Sequence, residues 1–145
     1  MEGRRALLKT IIKAVEARQS LALPTDAYRL FNGFFEGCPG LILDRYGSTL
    51  VINDHNQPGQ LEQVIHDIAE WSLTTLDGLE SVLLKQRQHP HQDDKNGMLI
   101  MGDSLTTRVS EHGVQYALDL QMNQDASFYL DTRNLRRWLL DHSQG

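Results

Sequence analysis

Arg5, Lys9 and Lys13 recur at i, i+4 and i+8, so on a helix they share one face, a row of cations that phosphates could meet. The same spacing also makes a plain solvated face, and charge stripes on amphipathic helices usually mean only that. A second grouping, His89-Pro90-His91 with Asp93 and Asp94, holds metal-ligand side chains. Hydrophilic loops collect such residues, Pro90 constrains the backbone, and no ligand pair elsewhere completes a closed site, so no metal is expected. Cys38 is the single cysteine, with no neighbouring His or basic residue to lower its pKa, and reads as a structural thiol rather than a nucleophile. Glu36-Gly37-Cys38-Pro39-Gly40 lies between two strand-like runs with no helix following, so its glycines read as turn residues and not as a phosphate loop. The densest polar and aromatic stretch runs from Asp119 to Arg136, close to the last residue, Gly145. No catalytic set can be assembled from these residues by motif.

The elements that must position them follow from periodicity. Leu8, Ile11, Ile12 and Val15 take the spacing of one helical stripe within Glu2 to Arg18, uninterrupted by Pro or Gly after Gly3. From Ala27 the pattern changes to short β-prone runs, Tyr28 to Phe35, Leu41 to Arg45 and Thr49 to Asn53, with Gly37 to Gly40 and Tyr46-Gly47-Ser48 as turns between them. Such spacing reads as an antiparallel meander. Leu41-Ile42-Leu43 and Leu50-Val51-Ile52 are unbroken by polar residues, which implies strands buried on both faces or covered by helices. Leu61, Val64, Ile65, Ile68 and Trp71 then return to helical spacing, with Pro58 near the start and Glu62, Asp67 and Glu70 opposite, an acidic face ill-suited to RNA. Ser81 to Lys85 and Met98 to Met101 are short strands, and Gln86 to Gly97, without apolar periodicity, is expected to be a mobile loop. A hairpin follows: Thr106 to Ser110, a turn at Glu111-His112-Gly113, and a strand in which Val114, Tyr116, Leu118 and Leu120 alternate with Gln115, Ala117, Asp119 and Gln121. Leu135, Trp138 and Leu139 form the apolar edge of a last helix, for which Asp131 or Thr132 is the expected cap.

Composition bounds the function. A chain of 145 residues with 40% apolar and 23% charged content can bury one core, or one small domain and part of another. A net charge of -5 excludes a general affinity for nucleic acid or anionic membranes and leaves room only for a local basic patch. One cysteine excludes an internal disulfide framework, and the absence of a signal-like apolar run at the start favours a cytoplasmic location. No stretch approaches the ~20 apolar residues of a membrane span.

Two ordered sets of residues carry a resemblance. Thr25-Asp-Ala-Tyr-Arg29-Leu30, then Glu36-Gly-Cys-Pro-Gly40-Leu-Ile-Leu-Asp44-Arg45-Tyr46-Gly47, resembles the T-N-A-Y-R-L and G-D-G-L-P-G-L-I-V-D-R-Y-G pattern of the class I S-adenosylmethionine-dependent methyltransferases that modify cytosine C5 in large-subunit ribosomal RNA. Glu111-His-Gly113, Asp119-Leu-Gln121, Gln124 to Arg133, and Asn134 with Arg136 are similar to that family's E-x-G, V-D-L-Q, G-Q-K-T-G-F-F-L-D-Q-R and D-N-R elements, in the same order. The chain departs from the pattern at Asp125, where the family has Lys, at Ala126-Ser127, where it has Thr-Gly, and at Thr132, where it has Gln. Reversing a charge beside a cofactor or phosphate alters the local electrostatics.

The resemblance implies an α+β fold. Residues 1–20 would be an N-terminal helix standing where the family has a leading domain, 21–102 a strand-strand-helix-strand-strand substrate-side domain, and 103–145 the hairpin and first helix of a Rossmann-like methyltransferase domain. Phe128, Asp131 and Arg133 would lie near the S-adenosylmethionine pocket, with Asp131 as a helix cap and Arg133 as its ionic partner the structural alternatives. Arg5, Lys9, Lys13, Arg29 and Arg45 would face RNA, ribosomal RNA by the resemblance. The cofactor loop and the family's catalytic cysteine would follow Gly145, so this chain by itself is expected to be inactive, and an apolar surface left uncovered could promote a homodimer. Two rival readings stand beside this one: a stand-alone module binding RNA or a protein through its first helix with Arg29 or Arg45, and, more weakly, a metal-dependent hydrolase at the histidine loop.

Overall fold

The computed structural model describes residues 2–19, 24–124 and 128–143. In chain order the elements are α1 (Glu2–Gln19), β1 (Ala27–Asn32), α2 (Gly33–Glu36), β2 (Leu41–Tyr46), β3 (Thr49–Asp54), α3 (Glu62–Thr75), β4 (Ser81–Gln86), α4 (Gln92–Asn96) and β5 (Met98–Met101). The hairpin β6 (Arg108–Glu111) and β7 (Val114–Ala117), a 3-10 turn (Leu130–Thr132) and α5 (Arg133–His142) complete the order. The chain is mixed α+β, with a five-stranded sheet in the order β1-β2-β3-β4-β5 and a separate two-stranded hairpin. β1, β2 and β3 form the expected antiparallel meander. Helix α3 then carries the chain back across the sheet, so β4 pairs with β3 in parallel, and β5 returns antiparallel.

One face of the sheet holds the larger core. Ile11 and Val15, one turn apart on α1, and Val64, Ile65 and Ile68 of α3 pack against Leu30, Leu43, Leu50, Ile52 and Val82. Burial of each such side chain contributes about 1.5–3 kcal/mol. All six residues of β3 are buried, in keeping with its unbroken apolar run. Arg4 of α1 binds Asp67 of α3 (Nε–Oδ2 2.7 Å), and Arg18 reaches the Leu30 carbonyl (3.1 Å) and the Glu36 carboxylate (2.6 Å), fixing both ends of α1. No helix among the described residues is long and apolar enough to cross a membrane.

Several sequence expectations are corrected. Three strands precede α3, as the β-prone runs read and one more than the strand-strand-helix-strand-strand order that the resemblance implies. Phe34 and Phe35 do not extend β1: Asn32 accepts from the Phe34 amide (3.2 Å) and Gly37 closes the turn at φ 95°, converting the apolar pair into α2. The segment expected to be a mobile loop contains α4, closed by the Gln92–Asn96 side-chain bond (2.8 Å) and by Gly97 at φ 125°. β6 starts at Arg108, and β7 stops at Ala117, so Leu118 and Leu120 are buried without belonging to a strand. Neither Asp131 nor Thr132 caps α5: the Thr132 hydroxyl donates backwards to the Tyr129 carbonyl (3.0 Å).

Two stability predictions follow from these contacts. A Cβ on Gly33 would lie 1.9 Å from the Cys38 carbonyl oxygen, whereas one on Gly3 would meet nothing within 4 Å. Gly33→Ala is expected to lower the thermal midpoint by roughly 5–10 °C, with Gly3→Ala at or above wild type, as read by circular dichroism melting. The Arg4 hydrogen bond, assisted by Gln63, holds the Asp67 carboxyl below its ordinary value. A lowered folded-state pKa means that this tie is intact above the ordinary value of 3.8 and is lost as pH falls through the lower, folded value. Hydrogen exchange of α1 amides is therefore expected to accelerate below that range, and less so in Arg4→Ala.

Candidate functional site

Strand alternation puts α1 and α3 against one sheet face and a row of polar side chains on the other. On that second face Arg29 stands opposite Asp44 across β1 and β2, and Asn53 opposite Lys85 across β3 and β4. Arg29 holds Asp44 with two bonds, Nε–Oδ1 2.8 Å and Nη2–Oδ2 3.3 Å. Arg87, just past β4, donates Nε and Nη2 to Asn53 Oδ1 at 3.3 and 3.0 Å. Burial pushes the Asp44 carboxyl up, with Arg29 pulling against it, while the bond to Asp44 raises Arg29 further. Arg29 thus stays charged, and the carboxylate bears the desolvation cost. Burial, with the charge of Arg87, lowers His55, which is accordingly neutral near pH 7.

The other end of this face is apolar. Ala27, Tyr46, Val51 and Leu83 pack there against Val109, Leu118, Leu120 and Phe128. Residues 118–124 and 128–132 lie against this face as the two ends of a strap pinned at successive points: Leu118 N to Thr107 O (2.9 Å), Gln121 Nε2 to Gly97 O (2.7 Å), and Tyr46 Oη to Phe128 O (3.4 Å). Lys85, fully buried, donates Nζ to the carbonyls of Asn123 (3.0 Å) and Gln124 (3.4 Å). These carbonyls offset part of the cost of taking an ammonium out of water.

Arg136 fastens the far end of the strap. It grips the fully buried Glu111 with two bonds (Nε–Oε2 2.5 Å, Nη2–Oε1 2.9 Å) and gives Nη1 to Tyr129 O (2.7 Å) and Thr132 Oγ1 (2.6 Å). Its guanidinium lies 4.1 Å over the Phe128 ring, whose centroid is 5.1 Å from that of Tyr116. Between strap and sheet a cleft of ≈ 230 Å³ remains, lined on the sheet side by Arg29, Asp44, Asn53, His55 and Arg87 and on the strap side by Phe128 to Asp131.

The residues singled out in the sequence divide accordingly. Phe128, Asp131 and Arg29 meet at this cleft, and Asp131 is close enough to Arg29 to add to its raised pKa. Phe128 is buried between Tyr116 and Arg136 and acts as an anchor. Arg133 opens α5. Arg5, Lys9 and Lys13 are exposed on α1, which packs on the opposite sheet face, and Arg45 is held by the carbonyls of Gly47 (2.8 Å) and Asp77 (2.6 Å). Asp125, Ala126, Ser127 and Gly145 lie outside the described residues. His89 contacts Asp94 at 3.2 Å and accepts from the His91 amide at 3.1 Å, and among the described residues no His, Cys, Asp and Glu side chains converge in a group of three or more. An open groove of ≈ 800 Å³ between α1 and α3 is larger than the cleft, but its Arg4 and Asp67 already bind each other. Asn53, His55, Lys85 and Arg87 were not singled out by sequence. Their period-two spacing within and just past β3 and β4 was the available signal, and only the strand register shows that they share a face.

No protein-family model matches the chain. It is similar to YwbD of Bacillus subtilis, provisionally named a ribosomal RNA large subunit methyltransferase, with 27% identity over 144 residues, 92% of this chain and 35% of the relative. It is also similar to ribosomal RNA large subunit methyltransferase I of Erwinia tasmaniensis, with 27% identity over 150 residues, 91% of this chain and 34% of the relative. The chain spans about a third of the length of these curated relatives. Its fold matches a Streptococcus mutans structure provisionally described as a SAM-dependent methyltransferase (TM-score 0.75, 20% identity, 97% of this chain and 36% of that one). It matches equally a provisionally described methyltransferase complexed with SAH (TM-score 0.77, 21% identity, 97% and 36%).

The Arg136–Glu111 pair yields a direct test. Removing one partner of a buried ion pair costs about 3–5 kcal/mol. Glu111→Gln is expected to raise hydrogen exchange across Phe128–His142 while β2 and β3 stay protected; unchanged exchange there would show that other contacts hold the strap.

Proposed function

We propose that this chain forms the substrate-side portion of an S-adenosylmethionine-dependent methyltransferase acting on ribosomal RNA. The observation that carries this reading is the convergence of the two resembling stretches: Arg29 and Asp44 from the first meet Phe128 and Asp131 from the second at one cleft. Similarity along nine-tenths of the chain to proteins named for that activity supports it. On this reading α1 falls in residues 1–20, the five-stranded sheet in 21–102, and the hairpin with α5 in 103–145 opens the catalytic domain. Location would be cytoplasmic, as ribosomal RNA requires of a bacterial-type enzyme.

The residues present suit one wall of a cofactor pocket. S-adenosylmethionine, when bound, supplies an electrophilic methyl group. Asp131 offers a carboxylate to hydroxyl donors, Phe128 keeps the strap in place, and Arg133 sets a positive charge at the start of α5. A cleft of ≈ 230 Å³ lies below the roughly 300–1,000 Å³ of pockets that enclose drug-sized ligands. Cys38 is buried in the core on the α1 side, with its thiol pushed up by burial, and is not directed at the cleft. Helix α5 exposes Leu135, Trp138, Leu139 and Leu140, an apolar face that a further layer would cover: the catalytic sheet on this reading, or a second copy in the isolated chain.

Calorimetric titration of the 145-residue chain with S-adenosylmethionine tests the assignment. Millimolar or weaker binding is expected. Micromolar binding would show that these residues form a complete cofactor site and overturn the substrate-side assignment.

A further inference from the structure

The cleft lies over the sheet face between Arg29 and Asp44 on one side and Asn53 on the other, and it reaches His55 and Arg87 just past the ends of β3 and β4. Its chemistry is of three kinds. Arg87 and Arg29 bring guanidinium groups, the planar donors best matched to phosphate oxygens, and the Arg29 side chain is 43% exposed although Asp44 takes two of its N–H bonds. Tyr129, on the strap, is 61% exposed and forms part of the cleft wall. His55, neutral near pH 7, carries the lining outward to Phe34, whose ring meets it edge-on at 5.8 Å. Phe34 is 53% and Phe35 87% exposed, a pair of aromatic rings turned to solvent at the tip of α2.

Exposed aromatic rings beside cations are the arrangement that binds unpaired nucleotides, because every base has a face to stack and every linkage a phosphate to neutralise. A base inside a duplex presents no face. Resting on the proposed function, we infer that the cleft takes one unpaired nucleotide of single-stranded RNA, its base stacked on Tyr129 and its phosphate held by Arg87 and Arg29, with the strand continuing over His55 towards Phe34 and Phe35. The volume agrees: ≈ 230 Å³ suits one planar ring system better than a whole cofactor. The cleft sets Arg29 and Arg87 among Asp44 and Asp131, and with a net charge of -5 the chain has no general hold on a duplex, so binding there depends on stacking and on the fit of one phosphate rather than on bulk charge. Arg5, Lys9 and Lys13 are exposed on α1, which packs on the opposite side of the sheet.

The test is fluorescence anisotropy at low salt with a short labelled single-stranded RNA and with the same sequence closed into a duplex, using the whole chain. Single-strand binding should exceed duplex binding. Tyr129→Ala, at an exposed position that leaves the fold intact by circular dichroism, should weaken the single strand about ten-fold. Arg87→Gln should reduce the slope of log affinity against log salt by about one, and Arg108→Gln, an equal loss of charge outside the cleft, should leave the Tyr129 effect in place. Equal affinity for duplex and single strand, or affinity untouched by Tyr129→Ala and Arg87→Gln, overturns the site. Binding lost only on replacing Lys9 and Lys13 overturns the cleft but keeps the RNA-facing reading, whereas no binding to either RNA removes both.

Discussion

The bidentate contact between Arg136 and Glu111 is the interaction on which the site side of the molecule depends. Helix α5 has no buried residue, and its Leu135, Trp138, Leu139 and Leu140 are exposed, so little else fixes its position. One guanidinium ties it to the hairpin, to the Tyr129 carbonyl and to the Phe128 ring. Burying the Glu111 carboxylate completely is expensive, and only a partner that meets both oxygens makes it tolerable. Arg136 answers with a pKa raised chiefly by that hydrogen bond. The pair therefore ties α5 to the β6–β7 hairpin at one point, with both carboxylate oxygens of Glu111 met by Arg136.

A cleft survives beneath the strap because the sheet face under it is half apolar and half polar. Where Tyr46, Val51 and Leu83 face it, Leu118, Leu120 and Phe128 close down and water is excluded. Where Arg29, Asp44, Asn53 and Arg87 face it, the strap does not close in the same way, since covering polar and charged groups with apolar side chains is costly. Lys85 sits between the two regimes and resolves the conflict with backbone carbonyls. Opening and anchor come from one alternation of residue type along β3 and β4.

Much of this scaffold was legible in the sequence, for reasons that are local. The stripe through Ile11 and Val15, the unbroken runs of β2 and β3, and the helical spacing of α3 each report burial of a nearby face. Errors fell where a short-range contact overruled a pattern. Asn32 and Gly37 bend an apolar run into α2, and the Gln92–Asn96 bond orders α4 inside a segment without periodicity. The site was harder to read because register carries it. Arg29 opposite Asp44 and Asn53 opposite Lys85 are facts about strand pairing, and the second depends on how α3 returns the chain to a parallel neighbour. Glu111 and Arg136 stood in the sequence as letters of separate motifs, with nothing local to show that they touch.

The charge arrangement around the cleft constrains what kind of recognition it can support. Asp44 and Asp131 stand beside Arg29, and Asn53 occupies Nε and Nη2 of Arg87, so each cation is embedded among acceptors rather than displayed as bare charge. A phosphate arriving there displaces little solvent-borne attraction and gains most when its geometry matches the guanidinium planes already set by Asp44 and Asn53. Such a surface yields modest affinity, a shallow salt dependence and a strong dependence on how the nucleotide is presented. An acidic chain built this way would select an accessible unpaired base over the far more numerous paired ones, with affinity for the rest of the RNA left to surfaces other than the cleft.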